Sequence, residues 1–98
     1  MNINIKTVAE GCHVSVNIKI QGQTLLNMTD NDEGSVNLFA GITYRFEWFV
    51  ITALEAHLKI EAFVIPENDG FLPLTIEKNY PPGIQDGNVF LFTLNQLP

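Results

Sequence analysis

The chain has 98 residues, of which 46% are hydrophobic and 16% charged, and its formal net charge is −6. A chain of this length buries enough surface to fold without a disulfide or metal, so we expect residues 1–98 to form a single domain. The negative charge and the lone arginine, Arg45, argue against nucleic acid and an anionic membrane as partners, since both require clustered cations. No apolar run approaches the roughly 18 residues of a membrane-spanning helix.

Turn-forming residues divide the chain into short apolar segments, a pattern typical of a mainly β protein. No segment has the sustained 3.6-residue period of an amphipathic helix. The number and spacing of the segments predict an antiparallel β-sandwich of seven or eight strands, immunoglobulin-like or prealbumin-like in outline. The predicted strands are residues 2–9, 12–20, 24–29, 35–40, 42–51, 56–65, 72–78 and 88–95.

The second and third predicted strands form a hairpin whose register can be derived from side-chain type. A three-residue turn at 21–23 pairs Ile18 with Leu26 and Val16 with Met28, so that apolar residues share one face. A two-residue turn shifts the register by one and sets apolar residues against polar ones. The longer turn is therefore favoured.

Alternation is strictest at 42–51 and 56–65, where even-numbered residues are apolar, which predicts a hairpin with one buried face. Opposite charges favour the register that pairs Glu47 with Lys59. The residues expected to be most buried are Tyr44, Phe46, Trp48, Leu58 and Ile60.

Four apolar residues of these two strands fall on the polar face. They are Phe49, Ile51, Phe63 and Ile65. A patch of this kind is covered either by other parts of the same chain or by another subunit, and the sequence leaves both alternatives open. We take these four residues as the candidate interface with a protein partner or with a second copy of the chain.

The last predicted strand is apolar on both faces. Phe90 and Phe92 alternate with Val89 and Leu91. This pattern is typical of a central strand, or of a strand that a partner covers.

Acidic loops supply the weak candidates for a metal site. Asp30, Asp32 and Glu33 lie within four residues, and Asp86 follows late in the chain. Carboxylates at this spacing begin to resemble a calcium loop. Asn, Asp and Gly are also the residues that ordinary turns prefer, so we expect turns and no bound metal or other cofactor.

No catalytic motif is visible in the chain. It contains no Gly-x-Ser-x-Gly elbow, and its only cysteine, Cys12, has no second cysteine with which to form a disulfide. The first residues lack a basic region followed by an apolar core, so we expect no secretory signal and a cytoplasmic location by default; removal of a signal is the alternative.

From Val16 to Phe46 the chain resembles prealbumin-like, carboxypeptidase-regulatory-type β-sandwiches. The resemblance lies in Thr29-Asp30 to Gly34, followed by Leu38, Gly41 and Tyr44. It differs by one extra residue between Asp30 and Gly34 and by another between Gly41 and Tyr44. The resemblance implies a sandwich that serves as an accessory, structural or binding module without catalysis, and it carries over no functional residue.

These observations predict a non-enzymatic binding or structural module that acts through protein contact or self-association. The alternative is a β-sandwich that binds a divalent cation such as calcium, or a glycan, through the acidic loops.

Overall fold

A computed structural model of the chain describes residues 2–65 and 74–93. Its strands, all hydrogen-bonded into one six-stranded antiparallel sheet, are β1 (Asn2–Ile20), β2 (Gln23–Thr29), β3 (Asp32–Asn37), β4 (Thr43–Ile65), β5 (Leu74–Tyr80) and β6 (Gln85–Thr93). The all-β, antiparallel prediction is confirmed. None of the described residues belongs to a helix that is long and apolar enough to cross a membrane.

The long strands β1 and β4 pair along almost their whole length and divide the sheet into two halves. In the first half, β2 flanks β1 at 15–20 and β6 flanks β4 at 43–51. In the second half, β3 flanks β1 at 2–7 and β5 flanks β4 at 56–62. The strand order is therefore β2-β1-β4-β6 in the first half and β3-β1-β4-β5 in the second.

The long strands bend where the two halves meet. Four residues of β4, 53–56, face the single residue Gly11 of β1. Gly11 has a φ of 72°, and a Cβ there would clash with the carbonyl oxygen of Glu55, so only glycine fits. Fully extended, β4 would span about 75 Å. Because the longest dimension of the molecule is 46 Å, β4 must curve strongly.

One side of the sheet carries the hydrophobic core. In β4 the even-numbered residues are buried from 44 to 52, before the bend, and from 56 to 62, after it. In β1 the buried apolar residues are odd-numbered before Gly11 and even-numbered after it. The core prediction is confirmed, since the five residues expected to be buried are all at most 5% exposed: Tyr44, Phe46, Trp48, Leu58 and Ile60.

The predicted hairpin between 42–51 and 56–65 is wrong. Both segments belong to the single strand β4, and both pair with β1, so that Glu47 lies opposite Asn17 and Lys59 opposite Val8. The residues that join the two segments include no Gly, Pro, Asn or Asp that would reverse the chain. The predicted strands at 2–9 and 12–20 are likewise one strand. Eight predicted segments therefore form six strands in the described part of the chain.

The hairpin of β1 and β2 has the predicted register but a different turn. Ile18 pairs with Leu26, as predicted. The turn contains two residues, Gln21 and Gly22, with φ of 48° and 78°, as a type I′ turn requires. The additional residue is Leu25, which has no opposite residue and forms a bulge in β2.

Candidate functional site

A group of exposed apolar side chains lies on the outer face of the first half, which is the side of the sheet opposite the core. Phe49 and Ile51 of β4 are 48% and 44% exposed, and Val89 and Leu91 of β6 are 47% and 69% exposed. We call these four residues the β4–β6 patch. Single exposed apolar residues are ordinary, but four on one face of two paired strands form a cluster. Within it Val89 lies opposite Glu47 and Leu91 lies opposite Arg45.

Pairing between β4 and β6 brings the patch together. Phe49 lies opposite Gly87, and Ile51 opposite Gln85. A Cβ at Gly87 would lie 3.3 Å from Cδ2 of Phe49 and 2.5 Å from the carbonyl oxygen of Trp48. Residue 87 must therefore be glycine, and the ring of Phe49 lies against its backbone. The aromatic surface of β4 thus extends as far as β6.

Charged side chains border the patch but largely neutralise one another. The carboxylate of Glu47 lies 3.2 Å from Nζ of Lys19 and 2.7 Å from Nε of Arg45. Two positive groups and one negative group leave this part of the surface with a single positive charge, whereas the whole chain carries −6. The ion pairs thus keep the net charge of these three side chains small.

A shallow groove of about 270 Å³ lies between the patch and β2. His13, Ser15 and Asp30 line it together with Phe49 and Ile51. Nδ1 of His13 lies 3.3 Å from the carboxylate of Asp30. Phe49 and Ile51 therefore form an apolar wall of the groove, and His13, Ser15 and Asp30 form a polar one. The groove lies beside the patch, over β1.

The predicted interface is described only in part. Phe49 and Ile51 lie on the outer face and are exposed, as the alternation indicated. The side chains of Phe63 and Ile65 lie outside the described residues, although their backbones belong to β4. The sequence interpretation missed the other half of the patch, on β6. The signal was the apolar character of both faces of that strand.

Three candidate metal ligands are engaged in hydrogen bonds within the chain. The carboxylate of Asp30 accepts a bond from the amide of Val14 at 3.1 Å. Oδ1 of Asp32 accepts a bond from the next amide at 2.8 Å, and Oε1 of Glu33 accepts one from Nδ2 of Asn4 at 3.1 Å. In residues 2–65 and 74–93, no three His, Cys, Asp or Glu side chains come together as metal ligands.

The fourth candidate, Asp86, belongs to a different cluster on the core side of the sheet. Its Oδ2 accepts a hydrogen bond from the hydroxyl of Tyr80 at 2.8 Å and lies 3.7 Å from Nζ of Lys78. The Tyr80 hydrogen bond is the main cause that holds the pKa of Asp86 below its usual value, and the Gly87 amide and Lys78 add to the effect. Burial, with Asp86 as a second cause, raises the pKa of Tyr80.

Neither the single cysteine nor the buried polar atoms point to a reactive centre. Burial is the main cause that raises the pKa of the Cys12 thiol, which disfavours the nucleophilic thiolate. Among the described residues, every buried side-chain nitrogen and oxygen has a hydrogen-bond partner. The most distinctive surface of this part of the chain is therefore the β4–β6 patch.

Comparison with known proteins gave no match to a family model, to a curated protein or to a solved structure. The resemblance of the Val16–Phe46 segment to prealbumin-like sandwiches stays a prediction.

Proposed function

We propose that this protein is a non-enzymatic binding or structural module that works through protein contact at the β4–β6 patch, and that its first partner is a second copy of the chain. The observation that carries the proposal is the exposure of four large apolar side chains on one continuous sheet face. Monomeric proteins keep such patches small, and larger ones are typical of interaction sites.

We also propose that the two halves of the sheet pack face to face as a β-sandwich. Buried residues of both halves belong to one hydrophobic cluster, which supports this arrangement. The shortest dimension of the molecule is 17 Å, which suits two layers packed about 10 Å apart. Side chains of the two halves also meet: Nζ of Lys78, on β5, lies 5.4 Å from the centre of the Trp48 ring, on the first half of β4.

The patch supports a weak association when only its apolar area is counted. Fully burying a large apolar side chain contributes about 1.5–3 kcal/mol, so a half-exposed one gains about 1 kcal/mol. Two copies would gain about 8 kcal/mol from their patches, against an association cost of about 4–15 kcal/mol. At the lowest association cost the net gain is about 4 kcal/mol, so burial of the apolar area alone gives a dissociation constant of about 1 mM.

Sedimentation velocity over a wide concentration range tests this function. We expect the wild type to be monomeric at low micromolar concentration and to form a measurable fraction of dimer as the concentration approaches about 1 mM. Phe49→Lys should abolish the shift, because it places a charge in the centre of the apolar contact.

Phe39→Lys is the matched control. Phe39 is 62% exposed and lies in the connection between β3 and β4, outside the patch. The control should associate like the wild type, and both variants should stay folded, with Phe49→Lys losing no more than about 1 kcal/mol of unfolding free energy. A wild type that stays monomeric, or a dimer that the two substitutions weaken equally, would contradict the proposed function.

A further inference from the structure

The strand β6 is an open edge in the described part of the sheet. It pairs with β4 alone, through nine residues without a register shift. It contains no proline, and Asp86 is its one charged residue. A long and regular edge strand presents unpaired backbone groups that can bind a further strand.

Other strands at the sheet edges have features that hinder such pairing. The edge strand β3 carries Asp32 and Glu33, and β5 carries Glu77 and Lys78. The edge strand β2 is interrupted by the bulge at Leu25. Charges and bulges protect edges against strand addition, and β6 lacks both on its outer side.

Two hydrogen bonds establish which backbone groups of β6 point away from β4. The amide of Thr52 donates to the carbonyl of Ile84, so even-numbered residues of β4 direct their backbone groups towards β6. Even-numbered residues of β6 lie opposite even-numbered residues of β4, and their backbone amides and carbonyls hydrogen-bond to β4. The amide of Val89 donates instead to Oδ1 of its neighbour Asn88. Gly87, Val89 and Leu91 therefore direct their amides and carbonyls to the open edge.

We propose that β6 pairs antiparallel with β6 of a second copy, about a two-fold axis at Val89, so that the first halves of the two sheets become one continuous sheet. This inference rests on the proposed function and specifies how the second copy binds. In this register Val89 lies opposite itself, and Leu91 lies opposite Gly87 of the second copy. All three residues direct their backbone groups outward. On pairing, the Val89 amide exchanges its bond to Asn88, and the Gly87 amide its bond to Asp86, for carbonyls of the second copy.

Shape favours this register. Leu91 is the most exposed member of the patch, at 69%, and it would lie beside a residue without a side chain. Because the Phe49 ring lies against Gly87, Leu91 of one copy would contact Phe49 of the other. The two-fold axis repeats this contact, so the two patches lie side by side on one face of the combined sheet and touch where β6 meets β6.

Charge favours a second copy of the chain as the occupant. The outer side chains of β6 are uncharged; they are Gln85, Gly87, Val89, Leu91 and Thr93. Asp86 lies on the core side, where Tyr80 and Lys78 hold it. Two copies that each carry −6 can thus meet along this edge without a like-charge pair.

Val89→Pro tests the hydrogen bonds of the edge. Its amide does not pair with β4, so proline removes a donor from the edge and leaves the sheet intact. We expect the association constant of the dimer to fall by about tenfold or more in Val89→Pro. Asn27→Pro is the control, on the edge strand β2. The amide of Asp30 donates to the carbonyl of Val14, so even-numbered residues such as Met28 bond to β1, and the Asn27 amide points away from β1. The control should dimerise like the wild type.

Chemical cross-linking tests the register without the use of proline. In a Cys12→Ser background, Gln85→Cys and Thr93→Cys chains are mixed and treated with a short bismaleimide. The proposed register places the Cα atom of residue 85 of one copy about 5.5 Å from that of residue 93 of the other. Identical residues would lie about 27 Å apart, so each variant alone should not cross-link.

A cross-link that forms only in the mixture, with weaker association of Val89→Pro, is the expected result. A dimer that Val89→Pro leaves unchanged, or one whose Gln85→Cys chains cross-link by themselves, overturns the edge pairing. If Phe49→Lys still abolishes that dimer, the proposed function stands and only the pairing fails. A wild type that remains monomeric overturns both.

Discussion

The hydroxyl of Tyr80 donates a hydrogen bond to the carboxylate of Asp86 and thereby joins the two halves of the sheet. Tyr80 ends β5, which flanks the second half of β4, and Asp86 belongs to β6, which flanks the first half. The contact lies on the core side, where Lys78 also approaches the carboxylate. The charge of Asp86 is consequently coupled to the contact between β5 and β6.

This coupling predicts a loss of stability in acid. The folded chain holds the pKa of Asp86 below its usual value, chiefly through Tyr80. The stabilisation is therefore fully present above the unfolded-state pKa of about 3.9 and is lost as the pH falls through the folded-state value. Urea unfolding between about pH 2.5 and 6 should show this loss in the wild type and a smaller one in Tyr80→Phe.

Asp86→Asn should show a similarly reduced acid loss, because it removes the titrating group itself. Asp32→Asn is the control, since Asp32 accepts its hydrogen bond from a neighbouring amide, away from this cluster. Equal acid sensitivity in the wild type, Tyr80→Phe and Asp86→Asn would show that the hydrogen bond between Tyr80 and Asp86 contributes no stability that acid removes.

Gly11→Ala should destabilise the protein strongly, because residue 11 is the point at which β1 bends. Its positive φ disfavours alanine, and the new Cβ would also meet the backbone of Glu55. Backbone strain of this kind costs about 1–3 kcal/mol, and the clash adds to it. Gly22→Ala is a matched control, with a φ of 78° and no atom within 4 Å of its Cβ.

Urea unfolding of the two alanine variants separates the clash from the strain, because only Gly11→Ala has both. Equal losses of unfolding free energy would mean that the Glu55 carbonyl does not press against residue 11.

The alternation of apolar and polar residues predicted which side chains lie on each face of the sheet, but not where the chain reverses direction. The period of two was sufficient to place Trp48 and Leu58 in the core and Phe49 outside it. Buried residues of β4 are even-numbered both before and after 53–56. This pattern is the one expected of a single uninterrupted strand as well as of two strands. The sequence interpretation took this as two strands in a hairpin. Parity changes in β1 instead, at Gly11, and that change marks the bend.

The candidate site was predictable only for β4. Phe49 and Ile51 break a polar face, and that break can be read without knowing any neighbour. Val89 and Leu91 belong to a strand without a polar face, so their exposure depends on the position of β6 in the sheet. Strand order results from long-range pairing, which alternation within a segment does not encode.

Millimolar calcium should leave the melting temperature unchanged. Carboxylate oxygens of Asp30 and Asp32 already accept backbone hydrogen bonds, and the described residues bring no group of three ligands together. A ligand that binds only the folded state raises its stability by mass action, so calorimetry with and without calcium is a direct test. A rise of several degrees that Asp32→Asn abolishes would support the calcium alternative.

Trp48→Ala and Phe49→Ala form a pair of adjacent substitutions that tests the assignment of faces. Trp48 is 5% exposed and Phe49 is 48% exposed, although they are consecutive in β4. Removing a buried large aromatic side chain costs about 3–5 kcal/mol, because it leaves a cavity in a packed core. Removing the half-exposed Phe49 should cost only about 1 kcal/mol in the monomer.

The free energies of unfolding are to be measured in urea at a concentration at which the protein is monomeric, so that the contact between copies does not contribute. Trp48 is the only tryptophan of the chain, and its emission should be blue-shifted in the folded state relative to the unfolded state. Should Trp48→Ala fail to fold, Trp48→Phe leaves a smaller cavity and should still cost more than Phe49→Ala. A larger loss at Phe49 than at Trp48 would reverse the two faces of β4, and with them the patch on which the proposed contact depends.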